Sequence, residues 1–180
     1  MLAFVLVLVL MLAYQVGASI DVTDSRPVED DQRRVEAIVN GLGLAGVGIK
    51  TGLGRQDITL GQEVLFASAG TDLGPEGKRI LAALASAVAN GGVSTLREIQ
   101  VAGHTDTEPT ARATNWELSS ARATNVVRYL AEAGIDPARV RLSGTGYGEF
   151  APVQPNTTAA GRDANRRIEM RLLYDLSGAR

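Results

Sequence analysis

Apolar positions follow two regimes along the chain. Leu2 to Tyr14 is an unbroken apolar or weakly polar run, and no charged residue appears before Asp21. About 20 such residues suffice to cross a bilayer as a helix, so residues 1–20 predict one transmembrane helix. Val16-Gly17-Ala18 would also suit a signal cleavage site, but no basic n-region precedes it, which favours a retained anchor. Beyond Asp21 the pattern turns periodic. Residues 21–56 read as a polar linker around Pro27 with a short amphipathic helix over 28–42, where Val28, Val35, Ile38, Val39 and Leu42 recur at helical spacing.

Extended segments follow over 49–51 and 57–66. Pro75 in a first turn and the Gly91-Gly92 stop bracket a helix over 73–90, with Leu81, Leu84 and Val88 on one side. A short strand over 98–102 turns Ile99 and Val101 inward. Thr114 stands three residues before Glu117, a capping box that starts a helix over 114–133. A strand over 139–143, a helical turn over 162–166 and a last strand over 167–174 complete a domain spanning 57–175, with a tail over 176–180. Helices alternating with short strands predict an α/β fold: a mixed sheet with helices packed on one face, preceded by one transmembrane helix.

The helix over 114–133 holds an anomaly. Leu118, Ala123, Val126, Val127 and Leu130 fill one arc at 100° per residue, and Arg122 falls inside its edge. An arginine there either snorkels to water, pairs with a carboxylate of its own domain, or receives a carboxylate from outside. The segment "VAGHTDTEP" places Asp106 just past a strand end, where loops of helix-covered sheets meet ligands. Asn115 opens the next helix. A carboxylate, an amide and a guanidinium can thus converge, and an acid beside a base suits a zwitterion such as an amino-acid head group.

Composition narrows the chemistry. The 180 residues are 45% hydrophobic, enough for one domain with a core. A net charge of −2 and 4% aromatics give no general attraction to nucleic acid, despite the basic run "ANRRIEMR". The absence of cysteine excludes disulfides, thiolate catalysis and a lipidated N-terminal cysteine. "GLGLAG" fits a dinucleotide pattern but follows a helix and opens none, so it reads as a turn and no cofactor is expected. His104, the only histidine, lacks the partners of a zinc site and reads as a loop residue with local hydrogen bonds, so no metal is expected. Asp106 and Glu117 could be cast as a hydrolase pair, but a cationic partner would keep Asp106 ionised, which suits binding and not acid catalysis. Trp116 reads as a packing residue, and "GTGYGE" as a turn that either lines a groove or merely connects. Arg166 and Arg167 read as one site-supporting and one structural arginine, pairing with Asp163 or Glu169.

The series "GHTD…NWELSSARA…GYGEFAPV…GRDANRRIEMRL" resembles the OmpA-type peptidoglycan-binding domain, in the version carried by flagellar stator subunits of the MotB type. The resemblance covers about residues 57–175. It implies non-enzymatic binding of peptidoglycan through the free amino and carboxyl groups of diaminopimelate. Asp106 and Arg122 match the family's two principal ligand positions; Asn115 and Leu118 match the same helix, and Asn165, Arg166 and Arg167 match its "NRR" motif. The resemblance further implies a homodimer, single-pass in the bacterial inner membrane with the domain on the wall side, beside a multi-helix MotA-like partner. One departure stands out: the family's membrane aspartate would fall at or before Met1. Either the start is misassigned or the anchor does no ion-driven work. A motor subunit, a related defence subunit and a simple membrane-to-wall tether all remain open at this point.

Overall fold

The computed structural model describes residues 25–43, 45–67, 70–109 and 114–177. The expected anchor over 1–20 and the end of the tail lie outside these residues. Among the described residues no helix is long and apolar enough to cross a membrane.

The chain runs α1 (Arg26–Gly41), β1 (Val47–Gly52), β2 (Arg55–Gly61), a helical turn α2 (Gln62–Leu65), α3 (Pro75–Ala89), β3 (Leu96–Gly103), α4 (Asn115–Glu132), β4 (Arg141–Gly146), α5 (Ala159–Asn165) and β5 (Arg167–Tyr174). The five strands form one mixed sheet in the order β1-β2-β5-β3-β4. All pairings are antiparallel except β3 with β4. The C-terminal strand therefore sits at the centre, joining the β1–β2 hairpin to the β3–β4 pair.

Alternation along the strands sorts the two faces. Ile58, Leu60, Ile99, Val101, Met170 and Leu172 are buried in the core with Leu81, Leu84, Val88, Val126 and Leu130 of the helices. The intervening positions are polar and half-buried or exposed, and Asp57 there accepts from Arg55 Nε at 2.7 Å and Arg171 Nε at 3.0 Å. The expected α/β arrangement is thus found.

Three elements differ from the sequence expectation. First, α1 is not in a linker. Val28, Val35 and Val39 enter the core, and two buried polar residues fasten the helix. Asp31 Oδ2 accepts from Thr95 N and Thr95 Oγ1, both at 2.8 Å, while Gln32 Nε2 donates to Gly52 O at 2.8 Å. A polar residue in a helix is easily read as solvent-facing; here these two cap the sheet's far end. Second, the extended reading over 57–66 stops at Gly61, because the run Val64-Leu65-Phe66 does not alternate. The turn α2 carries Leu65 and Phe66 inward, and α3 closes on it where Gly77 leaves no Cβ to meet Leu65 O. Third, β4 starts later than 139 and runs on through Gly144-Thr145-Gly146, which was expected to turn. The backbone N–H groups of Arg139 and Val140 are held in a turn by Asp136 O, each at 3.0 Å. The glycines fit a strand because α4 lies against it: a Cβ on Gly146 would stand 2.2 Å from Ser120 Oγ, and one on Gly103 of β3 would stand 2.2 Å from Ser119 O.

Candidate functional site

One edge of the sheet collects every residue of interest. The pairs Gly103–Gly146, Gly103–Ile168 and Gly61–Arg167 bring the ends of β2, β3 and β4 beside the start of β5. Asp106 lies three residues past β3, Gln62 follows β2, Arg166 precedes β5, and α4 begins at the same edge. Thr114 accepts from Glu117 N at 3.2 Å and Glu117 Oε2 accepts from Thr114 N at 2.7 Å, so the capping box fixes where α4 starts.

Asp106 is 5% exposed. Its Oδ1 accepts from Glu108 N at 3.0 Å, a tight local turn, and its Oδ2 accepts from Arg166. Arg166 reaches Asp163 with its other terminal nitrogen. Burial pulls the Arg166 guanidinium down, but pairing with Asp106 and the nearby Asp163 and Glu108 outweighs it and raises its pKa. Asn115 ties the loop together: Nδ2 lies 3.1 Å from Asp106 O, 3.1 Å from Glu108 O and 2.5 Å from Glu149 Oε2. Its Oδ1 and the Thr105 hydroxyl are buried and have no partner among the described residues. Such orphaned polar atoms are costly to leave unfilled.

Arg122 is 3% exposed, far more enclosed than a snorkelling residue. Its Nε donates to Gly70 O at 2.9 Å, and a terminal nitrogen donates to Gln62 Oε1 at 2.7 Å. The guanidinium stands 5.3 Å from the Phe66 ring centroid. Burial, then repulsion from Arg166, lowers its pKa to about 10 against the pull of Asp106. It remains a cation at neutral pH, and the two arginines and Asp106 form one electrically coupled group. Neither Gln62 nor Phe66 was flagged as a site residue in the sequence; both sat in a stretch read as plain strand.

The other candidates divide. Leu118 lies half-buried on the Arg122 side of α4. Asn165 is fully buried and spends its amide on the chain itself: Oδ1 accepts from Val153 N and Gln154 N at 2.8 and 3.0 Å, and Nδ2 donates to Gln154 O and Asn156 Oδ1 at 2.8 and 2.9 Å. It holds the loop ahead of α5. Arg167 is the structural arginine of its pair, donating to Glu169 Oε1 at 2.7 Å and Ala151 O at 3.2 Å.

His104 corrects the sequence expectation. It is buried, and neither ring nitrogen has a hydrogen-bond partner among the described residues. The ring instead stacks on Tyr147 with centroids 5.1 Å apart. This is the next step beyond the Gly103–Gly146 pair, on the sheet face away from the helices. Trp116 is corrected as well: it is 53% exposed and does not pack in the core.

A model of the OmpA family matches residues 65–166. Motility protein B of Bacillus subtilis is 44% identical over 80 residues, 43% of this chain and 30% of the relative. The chain spans less than half the length of the first curated relatives it matches, 21–49%. The crystal structure of a putative MotB-like protein from Desulfovibrio vulgaris is 34% identical with a TM-score of 0.70, covering 82% of this chain and 94% of that one. The cell wall anchor of the T6SS from Pseudomonas aeruginosa is 30% identical with a TM-score of 0.65, covering 79% of this chain and 96% of that one. These relatives are motility, anchoring and envelope proteins rather than enzymes.

Proposed function

The chain belongs to the OmpA family, and from that premise we propose that it grips peptidoglycan without breaking bonds, by holding the zwitterionic end of diaminopimelate in the stem peptide. The observation that carries this reading is the coupling of a buried carboxylate, Asp106, with a buried guanidinium, Arg122, at one sheet edge. Arg122 brings a permanently charged, planar guanidinium of the kind that matches a carboxylate, oriented by Gly70 O and Gln62 Oε1. The Asp106 carboxylate suits an ammonium, and Asn115, whose Oδ1 has no partner among the described residues, is tied to the same loop. In the free protein Arg166 stands in for that ammonium. Because Arg166 also holds Asp163, it can yield Asp106 to the ligand and keep a partner. Leu118 supplies apolar contact to the ligand's methylene stem. Asn165 acts by fixing the loop beside the site.

At the level of the whole protein, the reading is a wall-anchoring subunit of a MotB-like stator. It would be dimeric, single-pass in the inner membrane, and paired with a multi-helix MotA-like partner. Likeness to motility protein B and a MotB-like structure supports it. A simple membrane-to-wall tether is the second reading, supported by the likeness to a secretion-system wall anchor. Co-purification of a multi-helix membrane protein from native membranes separates the two.

The binding site is tested by co-sedimentation with purified sacculi. Wild type is expected to pellet. Asp106→Ala and Arg122→Ala, each checked for fold by circular dichroism, are expected to stay in solution. Folded variants that pellet like wild type would remove these residues from the site.

A further inference from the structure

The rim of the site carries two aromatic rings that the core does not use. Trp116, in the first turn of α4, is 53% exposed, and Phe150, in the loop after β4, is 71% exposed. Their centroids lie 5.8 Å apart and the planes meet at 51°. Single exposed aromatics need no explanation. This pair stands on a fixed backbone. The buried Ser119 Oγ donates to Trp116 O and accepts from Gly148 N, both at 2.9 Å. Gly148 adopts a φ of 56°, and a Cβ there would lie 3.3 Å from Trp116 N and 3.5 Å from Phe150 Cδ2. Glu149 accepts from Asn115, so the loop bearing Phe150 is clamped to the helix end bearing Trp116. Rings held this way lose little freedom when a ligand arrives.

We propose that Trp116 and Phe150 form a sugar-stacking subsite that takes the glycan attached to the stem peptide. The inference rests on the stem-peptide reading of the Asp106–Arg122 site. Three arguments carry it. Trp116 directly follows Asn115, whose amide holds the Asp106 carbonyl, so the rings and the carboxylate share one rim. Trp116 stands six residues from Arg122, about 9 Å along the helix axis. In peptidoglycan two residues separate diaminopimelate from the muramic sugar, about 7 Å of extended chain before the linking lactyl group. The spans match. Finally, a pyranose offers an apolar C–H face to a ring and hydroxyls to water, which suits aromatics that are half in solvent at a polar rim. Two partly exposed rings supply at most a few hundred Å². That is enough for one or two sugars and well short of the roughly 1,000 Å² a specific protein interface needs.

Trp116 is the only tryptophan of the chain, so its emission reports on the subsite directly. The full chain in detergent micelles would be titrated with a diaminopimelate-terminated tripeptide and with the same tripeptide carried on its disaccharide. Affinity is read by calorimetry and emission by fluorescence. Both ligands are expected to bind, and only the glycopeptide should shift the emission. The glycopeptide should bind about tenfold tighter, and Phe150→Ala should erase that advantage while leaving tripeptide affinity unchanged; at 71% exposure this variant does not threaten the fold. Equal affinities with unshifted emission would overturn the subsite and leave the peptide site standing. Failure of both ligands to bind would overturn the peptide reading and this inference with it. An emission shift on simple dilution would assign the rings to self-association and likewise overturn it.

Discussion

His104 turns acidity into a measurable loss of stability. Its ring is buried against Tyr147, with Arg167 near enough to repel a proton and Glu169 Oε2 at 3.9 Å offering a weaker attraction. Burial first, and Arg167 second, bring its pKa from 6.5 down to about 4 in the folded chain. The unfolded chain keeps the ordinary value. Between these two values the unfolded state binds a proton that the folded state refuses, so acid favours unfolding. The contribution is fully present above pH 6.5 and is lost as the pH falls toward about 4. At 1.36 kcal/mol per pH unit, the loss is about 3 kcal/mol. Carboxylates elsewhere titrate over the same range, so the informative quantity is a difference between two proteins. His104→Phe preserves the stack and cannot take up a proton. Urea midpoints followed by circular dichroism from pH 7.5 to 4 should show wild type falling relative to the variant by about 3 kcal/mol. Parallel curves would refute the reasoning and mean that water or a rearranged Glu169 satisfies the ring.

Four further outcomes are expected. Arg122→Ala should weaken glycopeptide binding by about 2–4 kcal/mol, the scale for removing one partner of an enclosed charge pair; Arg122→Lys should recover only part of it, because the fork is lost. Asn165→Ala should cost about 2–3 kcal/mol in thermal unfolding by stranding the groups it now satisfies around residues 153–156, and a loss under about 0.5 kcal/mol would show that the loop relaxes without it. Asp31→Ala should cost about 2 kcal/mol by removing the two bonds to Thr95, and limited proteolysis should then cut first within α1. Gly103→Ala should be among the most damaging small substitutions, at about 1–3 kcal/mol or more, because the new methyl meets the α4 backbone instead of a movable side chain; an unchanged melting temperature would contradict the close packing of α4 on β3.

Much of the fold was legible because local chemistry marked it. The Thr114–Glu117 box placed the start of α4, and the last strand expected over 167–174 covers the residues that β5 occupies. The convergence of Asp106, Asn115 and Arg122 could be anticipated, since a strand end, a cap and one helix stripe bring them together. What stayed hidden depends on contacts distant in sequence. Nothing near Asp31 and Gln32 announces Thr95 or Gly52, so α1 looked like a linker helix. Gln62 lies 60 residues from Arg122, and no local signal pairs them. The glycines of β4 resembled a turn until α4 was seen to need their missing side chains. Phe150 looked unremarkable until Trp116 stood beside it.

The central place of β5 has a consequence for how the chain is made. A polypeptide emerging N-terminus first can form the β1–β2 hairpin and then β3, α4 and β4, but these are two half-sheets with facing unpaired edges. The strand that zips them together, Arg167–Tyr174, follows both halves along the chain. Until it arrives each half presents an apolar face and a sticky border, the condition in which chains aggregate or recruit a chaperone. The body therefore commits to its native shape only once β5 has been made. A stop codon between β4 and β5 should leave two unjoined halves rather than a shortened domain.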